Sequence, residues 1–508
     1  MTTSSFWVED SGLETRPPLA GDAECDLVVI GSGIAGLSSA YEAAGFGWRV
    51  IVIERHDTIG GVMTPRTTAH LASELDDYYY YLIKAVGEAD ARTYYESQVA
   101  AINRIEAICR DEGIDADFVR LDGLLVPAEA AHMRELEQEF DACRTLGVDV
   151  EWTDEAPVPL PEATRALRFP NQARLHPLKY IRGLTRAIEG RGGRVHGSTV
   201  FVSDTEENGG VTIETEAGHR IRARAAMFAT NSPVNDKVTI HTKYVPDRTY
   251  AVAGPVPKGA VPDVLLWDTL EAYHYVRLQP LSEAEDLLIV GGEDHRSGEA
   301  NDMDERFAHL EAWTRERFPS FDGARYRWSG QVLEPVDFMP YSGRNPGNRA
   351  IYIHSGDSGQ GMTNGVAGAI NFAALLFDQK AHFAELLDPS RKPKAGTSLA
   401  DFVTGRAADV ANLSEYLTGG EIGSVDELAP GEGAIIRRGM SKIAAYRSDD
   451  GTLIERSAVC THVGCIVHWN GLEKCWDCPC HGSQFQPDGS VINGPAVKPL
   501  AEVAEADG

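Results

Sequence analysis

Between positions 460 and 485 the chain reads CTHVGCIVHWNGLEKCWDCPCHGSQF, where Cys460-x-His462 is followed after fifteen residues by Cys478-x-x-His481. Two thiolates and two neutral imidazoles on a pair of loops suit a [2Fe–2S] centre, the cysteines holding one iron and the histidines the other. Exchanging thiolate for imidazole makes such a cluster less negative and raises its potential above that of an all-cysteine ferredoxin. Cys and His are also zinc ligands. A zinc ribbon, however, would call for two similar C-x-x-C knuckles, and only Cys475/Cys478 offers one. Cys465 and Cys480 are left over once four ligands are assigned and could form a disulfide tying the two loops together. Gly464, Pro479 and Gly482 are the small or φ-fixed residues that loops folded tightly over a cluster need. This is the Rieske pattern, and a centre of this kind carries one electron at a time. The rest of the chain is therefore expected to supply or consume electrons.

A second chemistry is written near the N-terminus. Asp26–Ile30 (DLVVI) has the pattern of a short buried strand, and Gly31-Ser-Gly33-Ile-Ala-Gly36 follows at once. A helix is predicted over Gly36–Ala44, then a second strand over Trp48–Ile53 that ends on Glu54. In that context the first glycine permits a tight turn and the second lets the backbone approach a pyrophosphate. The third lets helix and strand pack closely, while the helix N-terminus favours phosphate charge. Glu54 closes the second strand where a ribose hydroxyl would sit. Far downstream, a strand over Ala350–Ile353 leads into Gly356-Asp-Ser-Gly359-Gln-Gly361-Met362-Thr363 and a helix through Leu376. This late glycine-rich turn suits a cofactor lying extended across the sheet, its ring end met by a helix N-terminus that favours negative charge on a reduced flavin. Ala226–Ala229 is a third predicted strand end.

Beyond these motifs the sequence resembles the D-amino-acid oxidase/glycine oxidase family of FAD-dependent oxidoreductases, and more closely a bacterial subgroup with a C-terminal Rieske domain. The resemblance covers about residues 6–505 and is carried by TTAH at 67–70, FPNQARLHPLKYIRGL at 169–184, GGEDH at 291–295 and EPVDFMPYSGR at 334–344. It implies an α/β FAD-binding Rossmann-like domain with an inserted antiparallel-sheet substrate domain, followed by an all-β Rieske domain. It also implies FAD contacts from Gly31, Gly33, Gly36, Glu54, Arg55, Gly61, Val200, Gly359, Gly361, Met362 and Thr363, with Val200 meeting the adenine end through its backbone. No cysteine lies in 334–344, and Arg66 stands where some relatives have histidine, so covalent attachment of the flavin is not expected. Ser483 sits where Rieske proteins of respiratory complexes place a hydroxyl, and Phe485 where many of those have tyrosine. One donor fewer implies a potential below that of the fully bonded type.

The domain reading follows: an irregular arm at 1–24, an oxidoreductase domain at 25–395 with its substrate subdomain mainly at 245–340, a helical linker at 396–420, and a Rieske domain at 421–508. Within the second, Val99, Ile102, Ile105 and Ile108, then Leu136, Phe140, Cys143 and Leu146, recur at helical spacing. These predict packed helices rather than sites. The candidate catalytic groups are His70, with His274 and Arg277 on a predicted strand, Glu271–Leu278, that could face the flavin.

Composition bounds the partners. A formal charge of −29 speaks against binding nucleic acid or an anionic membrane. No run approaches the apolar length of a membrane span, no signal peptide is visible, and the cysteines are clustered rather than scattered, so a cytoplasmic protein is expected. The expected function is a dehydrogenase in which FAD takes electrons from a small amine, amino acid or related substrate and the cluster passes them singly to an external acceptor. The alternatives are an NAD(P)H-fed reductase serving a separate oxygenase, or a flavoprotein whose cluster is a redox sensor or a structural staple. No pair of residues stands out to anchor a substrate carboxylate.

Overall fold

The computed structural model describes residues 3–207, 209–235, 240, 243–270, 272–392 and 415–503. Its first layer is a six-stranded sheet in the order Tyr341–Arg344, Ile351–Ser355, Ala225–Phe228, Leu27–Ile30, Val50–Ile53, Arg194–His196. All neighbours pair parallel except the Tyr341–Arg344 edge strand. A parallel sheet covered on both sides needs apolar residues at successive positions. Leu27, Val29, Val50 and Val52 accordingly enter one core with the helices Ile34–Gly45 and Gly361–Leu376, while Val28, Ile30, Ile51 and Ile53 enter another. The second of these cores also takes Val211, Ile213 and Ile221 from a small sheet over Ala23–Glu24, Arg220–Ala223, Gly210–Thr215 and Phe201–Glu207.

The second layer is larger than the sheet the sequence reading placed mainly in 245–340. Its long path runs Tyr326–Pro335, Tyr244–Pro257, Glu285–Arg296, His274–Pro280, Leu265–Asp268, Val119–Val126, Ala166–Arg174, His70–Leu71. Strands from 70–174 thus extend the sheet that had been placed mainly in 245–340. Leu265–Asp268 joins Val119–Val126 by parallel pairing, a contact between segments far apart in sequence. The helices Glu88–Asp111 and Met133–Leu146 form as expected, burying Ile102, Ile105 and Ile108, and Leu136, Cys143 and Leu146.

The N-terminal arm is not wholly irregular. Phe6–Ser11 is a short helix that buries Phe6 and Trp7, and Trp7 Nε1 donates to Thr67 O at 2.6 Å. Of the expected linker at 396–420, residues 396–414 lie outside the described residues, and Glu415–Leu417 is a 3-10 turn.

The C-terminal module has two small antiparallel sheets: Glu432–Arg438, Ser441–Arg447, Leu453–Ser457, and His468–Asn470, Cys475–Asp477, Gln484–Phe485, Val491–Asn493. Trp469, Trp476 and Phe485 pack with Cys460, Cys465, Cys478 and Cys480 in its core.

Candidate functional site

A cavity of about 270 Å³ runs through the oxidoreductase layers. At one end stand Glu54, Arg55, Thr199 and Phe201; it passes Gly31, Gly33 and Gly61 and reaches Gly359, Gly361, Met362 and Thr363 at the start of the long helix. The glycines are required by the backbone itself. A Cβ on Gly31 would lie 2.3 Å from Ala229 O, and one on Gly36 would lie 2.1 Å from Gly31 O. Gly36 therefore serves the close packing of helix on strand and does not line the cavity. Glu54 Oε2 accepts from Ser32 N at 3.0 Å and Ser32 Oγ at 2.7 Å, so the acid closing the second strand is fixed against the glycine turn. Val200 stands between the lining residues Thr199 and Phe201, and its carbonyl accepts from Glu216 N at 2.9 Å. This glycine cradle, an acid beyond the second strand and a helix N-terminus at the far end fit an extended dinucleotide such as FAD.

The expected catalytic residues separate. His70 lines the cavity, but both of its ring nitrogens are engaged. Nε2 lies 3.1 Å from Val276 O and Nδ1 lies 3.1 Å from Thr68 Oγ1, so the imidazole donates to the carbonyl and accepts from the hydroxyl. Burial, with Arg277 close behind, pulls its pKa down to about 3, which keeps it neutral. His274 faces away from the cavity. Side chains alternate along a strand, and Tyr273 and Tyr275 take the cavity side, while His274 stacks on Trp313 at 4.2 Å and pairs with Asp268 at 3.0 Å. Arg277 does not reach the cavity either. Its guanidinium is spent on the carbonyls of Thr68, Ala69, Leu175 and Leu278 and on Gln279, making it a buried staple.

In their place the structure brings acids and aromatics that the sequence reading passed over. Glu74, Asp76, Trp267, Tyr273 and Tyr275 line the cavity, Asp76 and Tyr273 beside Gly359. Tyr273 OH donates to Asp76 Oδ2 at 2.8 Å, and Tyr275 OH lies 2.7 Å from Thr249 Oγ1. Glu74 Oε1 and Trp267 Nε1 are buried without a hydrogen bond of ordinary geometry. Trp267 lies near enough to Glu74 to offset part of the rise in its proton affinity. Burial, with Asp77 beside it, pushes Asp76 up to about 7, and burial with Asp76 raises Glu74 well above the usual carboxylate range. The available signal was the period-2 spacing of Tyr273 and Tyr275, by which His274 and Arg277, three apart on one strand, could not both face the cavity.

The second candidate site lies on the two loops that carry the cysteine and histidine spacing. Its two loops share one turn: Gly464 N donates to Cys460 O, and Gly482 N to Cys478 O, each at 3.0 Å. Both glycines have the positive φ that such a turn requires, +96° and +76°. Cys478 lowers the pKa of neighbouring Cys460 and Cys460 in turn raises that of Cys478, and the His462 and His481 rings lie 5.0 Å apart at 90°. Among the described residues no three Cys, His, Asp or Glu side chains converge on one point. The four fall instead into a thiol pair and an imidazole pair, the division a two-iron cluster asks for. Cys465 and Cys480 form a disulfide joining the loops, with Cα atoms 6.5 Å apart.

These two sites share a wall. Ile492, Asn493 and Gly494 of the C-terminal module line the cavity, as does Gln331 of the substrate sheet. Gln331 Nε2 donates to Gly482 O at 2.9 Å and its Oε1 accepts from Asn493 Nδ2 at 2.8 Å. Around this contact the modules are clamped by buried ion pairs. Arg248 Nη2 meets Asp477 Oδ2 at 2.7 Å, and Arg66 Nη1 meets Glu473 Oε1 at 2.8 Å.

Comparison with known proteins agrees with this division. The family described as FAD dependent oxidoreductase matches residues 26–375, and the Rieske [2Fe-2S] domain matches 420–504. The putative Rieske 2Fe-2S iron-sulfur protein YhfW of Bacillus subtilis (strain 168) is 30% identical over 98% of this chain and 97% of its own length. The crystal structure of glycine oxidase from Geobacillus kaustophilus superposes with a TM-score of 0.60 at 16% identity, covering 73% of this chain and 99% of that one. L-proline dehydrogenase from P. horikoshii gives 0.59 at 19% identity, covering 73% and 98%.

Proposed function

We propose that this chain, which belongs to the FAD dependent oxidoreductase family and carries a C-terminal Rieske [2Fe-2S] domain, is a dehydrogenase that oxidises a small amine or related substrate and sends the electrons out through its cluster module. When bound, FAD supplies two-electron acceptance from carbon, and the cluster supplies one-electron carriage. The residues assigned to FAD are those of the glycine cradle and the long helix's first turn, with Gly36 acting through packing. Cys460 and Cys478 are assigned to one iron, His462 and His481 to the other, in a domain of about 421–508 following an oxidoreductase domain of about 25–395.

The observation that carries this reading is the Gln331 bridge. One side chain lines the cavity and donates to the carbonyl next to His481, so the two sites are neighbours within one wall. His481 is 6% exposed on that inner side, whereas His462 is half-buried beside Val463, which is 59% exposed. The inner histidine is suited to receive electrons, and the outer one to release them to an external acceptor. His70 holds the wall against Tyr275, its ring edge-on at 5.6 Å. No described helix is long and apolar enough to cross a membrane, and we place the protein in the cytoplasm.

Anaerobic stopped-flow mixing with a panel of amines tests the reading. The flavin band is expected to bleach first and the cluster band to follow within the same molecule. A cluster that stays oxidised after the flavin is reduced would refute it, and reduction by NAD(P)H alone would favour the reductase reading.

A further inference from the structure

The end of the cavity beside Gly359 offers carboxyl groups and no available cation. Glu74 is 3% exposed, lines the cavity, and leaves Oε1 without a hydrogen bond of ordinary geometry. Asp76 lines the same wall, held by Tyr273 OH. Among the described residues no lysine lines the cavity, and its two arginines are Arg55 and Arg66. Arg55 follows Glu54 at the opposite, nucleotide end. Arg66 is spent on Glu473 Oε1 at 2.8 Å, Thr3 Oγ1 and O at 2.8 Å and Ser329 O at 2.7 Å. Nor do the nearby imidazoles help: His70 is neutral and doubly engaged, and His354 Nε2 is bound to Asp357 Oδ1 at 2.7 Å.

An amino acid entering here would bury its carboxylate beside two carboxyl groups with no counter-charge, which is strongly unfavourable. An ammonium meets the opposite situation. It finds acceptors in Glu74 and Asp76 and the π faces of Tyr273, Tyr275 and Trp267, surfaces that attract a cation once water is excluded.

We propose that the cavity takes a cationic amine with no carboxylate beside its amino group, its ammonium seated on Glu74 and Asp76 within the Tyr273–Tyr275–Trp267 wall. This rests on the cavity being the flavin-and-substrate site of the proposed function, and it names the substrate class for that site. The raised proton affinities of Glu74 and Asp76 fit it, since acids shielded from water without a cation nearby are the ones an arriving ammonium would favour in their charged form.

Anaerobic titration calorimetry on the full-length holoprotein tests this with matched pairs, benzylamine against L-phenylalanine and isoamylamine against L-leucine. The amine of each pair is expected to bind at least about tenfold tighter. Asp76→Asn and Glu74→Gln should each weaken amine binding about tenfold, with the flavin absorbance retained and benzyl alcohol binding unchanged. Amino acids binding as tightly as their amines, neither partner binding, or flavin-loaded variants binding amines like the parent would each overturn the proposal. Should a variant lose its flavin, the ratio in the parent protein decides alone. Binding heat is read without turnover, so an unreduced cluster in the stopped-flow experiment would count against the electron route and leave the amine preference standing.

Discussion

Two pairs of acids, one at the seam between the modules and one in the cavity, are held in opposite ways. At the seam between modules, Asp477 and Glu473 face Arg248 and Arg66. Burial alone would push both carboxyls up. Arg248, with hydrogen bonds from Asn470 and Gln484, instead holds Asp477 below the usual carboxylate range, and Arg66 with Arg248 does the same for Glu473. At the end of the cavity beside Gly359, buried Glu74 and half-buried Asp76 face no cation among the lining residues, and both are raised. The same residue types have their proton affinity lowered in one place and raised in the other. A buried acid whose charge is already matched is structural, whereas one left unmatched marks where a charged ligand would complete the set.

The strongest way to break this contrast is Arg248→Met, which strands Asp477 as an unpaired buried charge. It should cost about 3–5 kcal/mol of stability, read as a lower midpoint for loss of the cluster's visible absorbance on heating. Combining it with Asp477→Leu should recover most of that loss. A cost below about 1 kcal/mol would mean the seam pairs matter no more than surface ion pairs.

Next in size is the covalent tie in the cluster loops, for which the flavin cradle, held by the central sheet's core, has no counterpart. Cys465→Ser with Cys480→Ser should cost the module about 2–4 kcal/mol. Faster cluster bleaching in mild denaturant would report it, with flavin release unchanged. Equal loss of both chromophores would show that the modules unfold as one.

A smaller, pH-gated effect is expected at His468, which lies 3.0 Å from Glu415 and 2.9 Å from Glu421. Burial opposes its charge, but these two acids outweigh burial and raise its pKa from 6.5 to about 9. Because the folded value lies above the unfolded one, the stabilisation is full below about pH 6.5, declines as pH rises, and is gone above about pH 9. His468→Gln should therefore cost about 1–2 kcal/mol at pH 6 and almost nothing at pH 10, measured by thermal melts at both. An equal cost at both pH values would count against a charge-based anchor.

The smallest effect has the opposite sign. Glu74→Gln and Asp76→Asn remove acids that no cation stabilises, so stability should stay within about 0.5 kcal/mol of the parent or rise. A loss of 2 kcal/mol or more from either would place these acids with those at the seam.

Local sequence was sufficient for the first glycine turn and for the two Cys/His loops because each is a contiguous stretch of chain. Gly31 and Gly36 are dictated by backbone approaches within one strand–turn–helix unit. The Cys460 and Cys478 loops carry their own glycine turns and the disulfide that joins them. The parallel pairs around Leu27–Ile30 were legible as well, since burial on both faces demands an unbroken apolar run. What only tertiary structure decided was which side chains meet across separate segments. His274 and Tyr275 are adjacent in sequence, yet strand parity and the pairing of Leu265–Asp268 with Val119–Val126 send one to Trp313 and the other to the cavity. Gln331 and Gly482, or Arg248 and Asp477, lie well over a hundred residues apart. Their contacts depend on how two modules dock, and spacing along the chain carries no record of that.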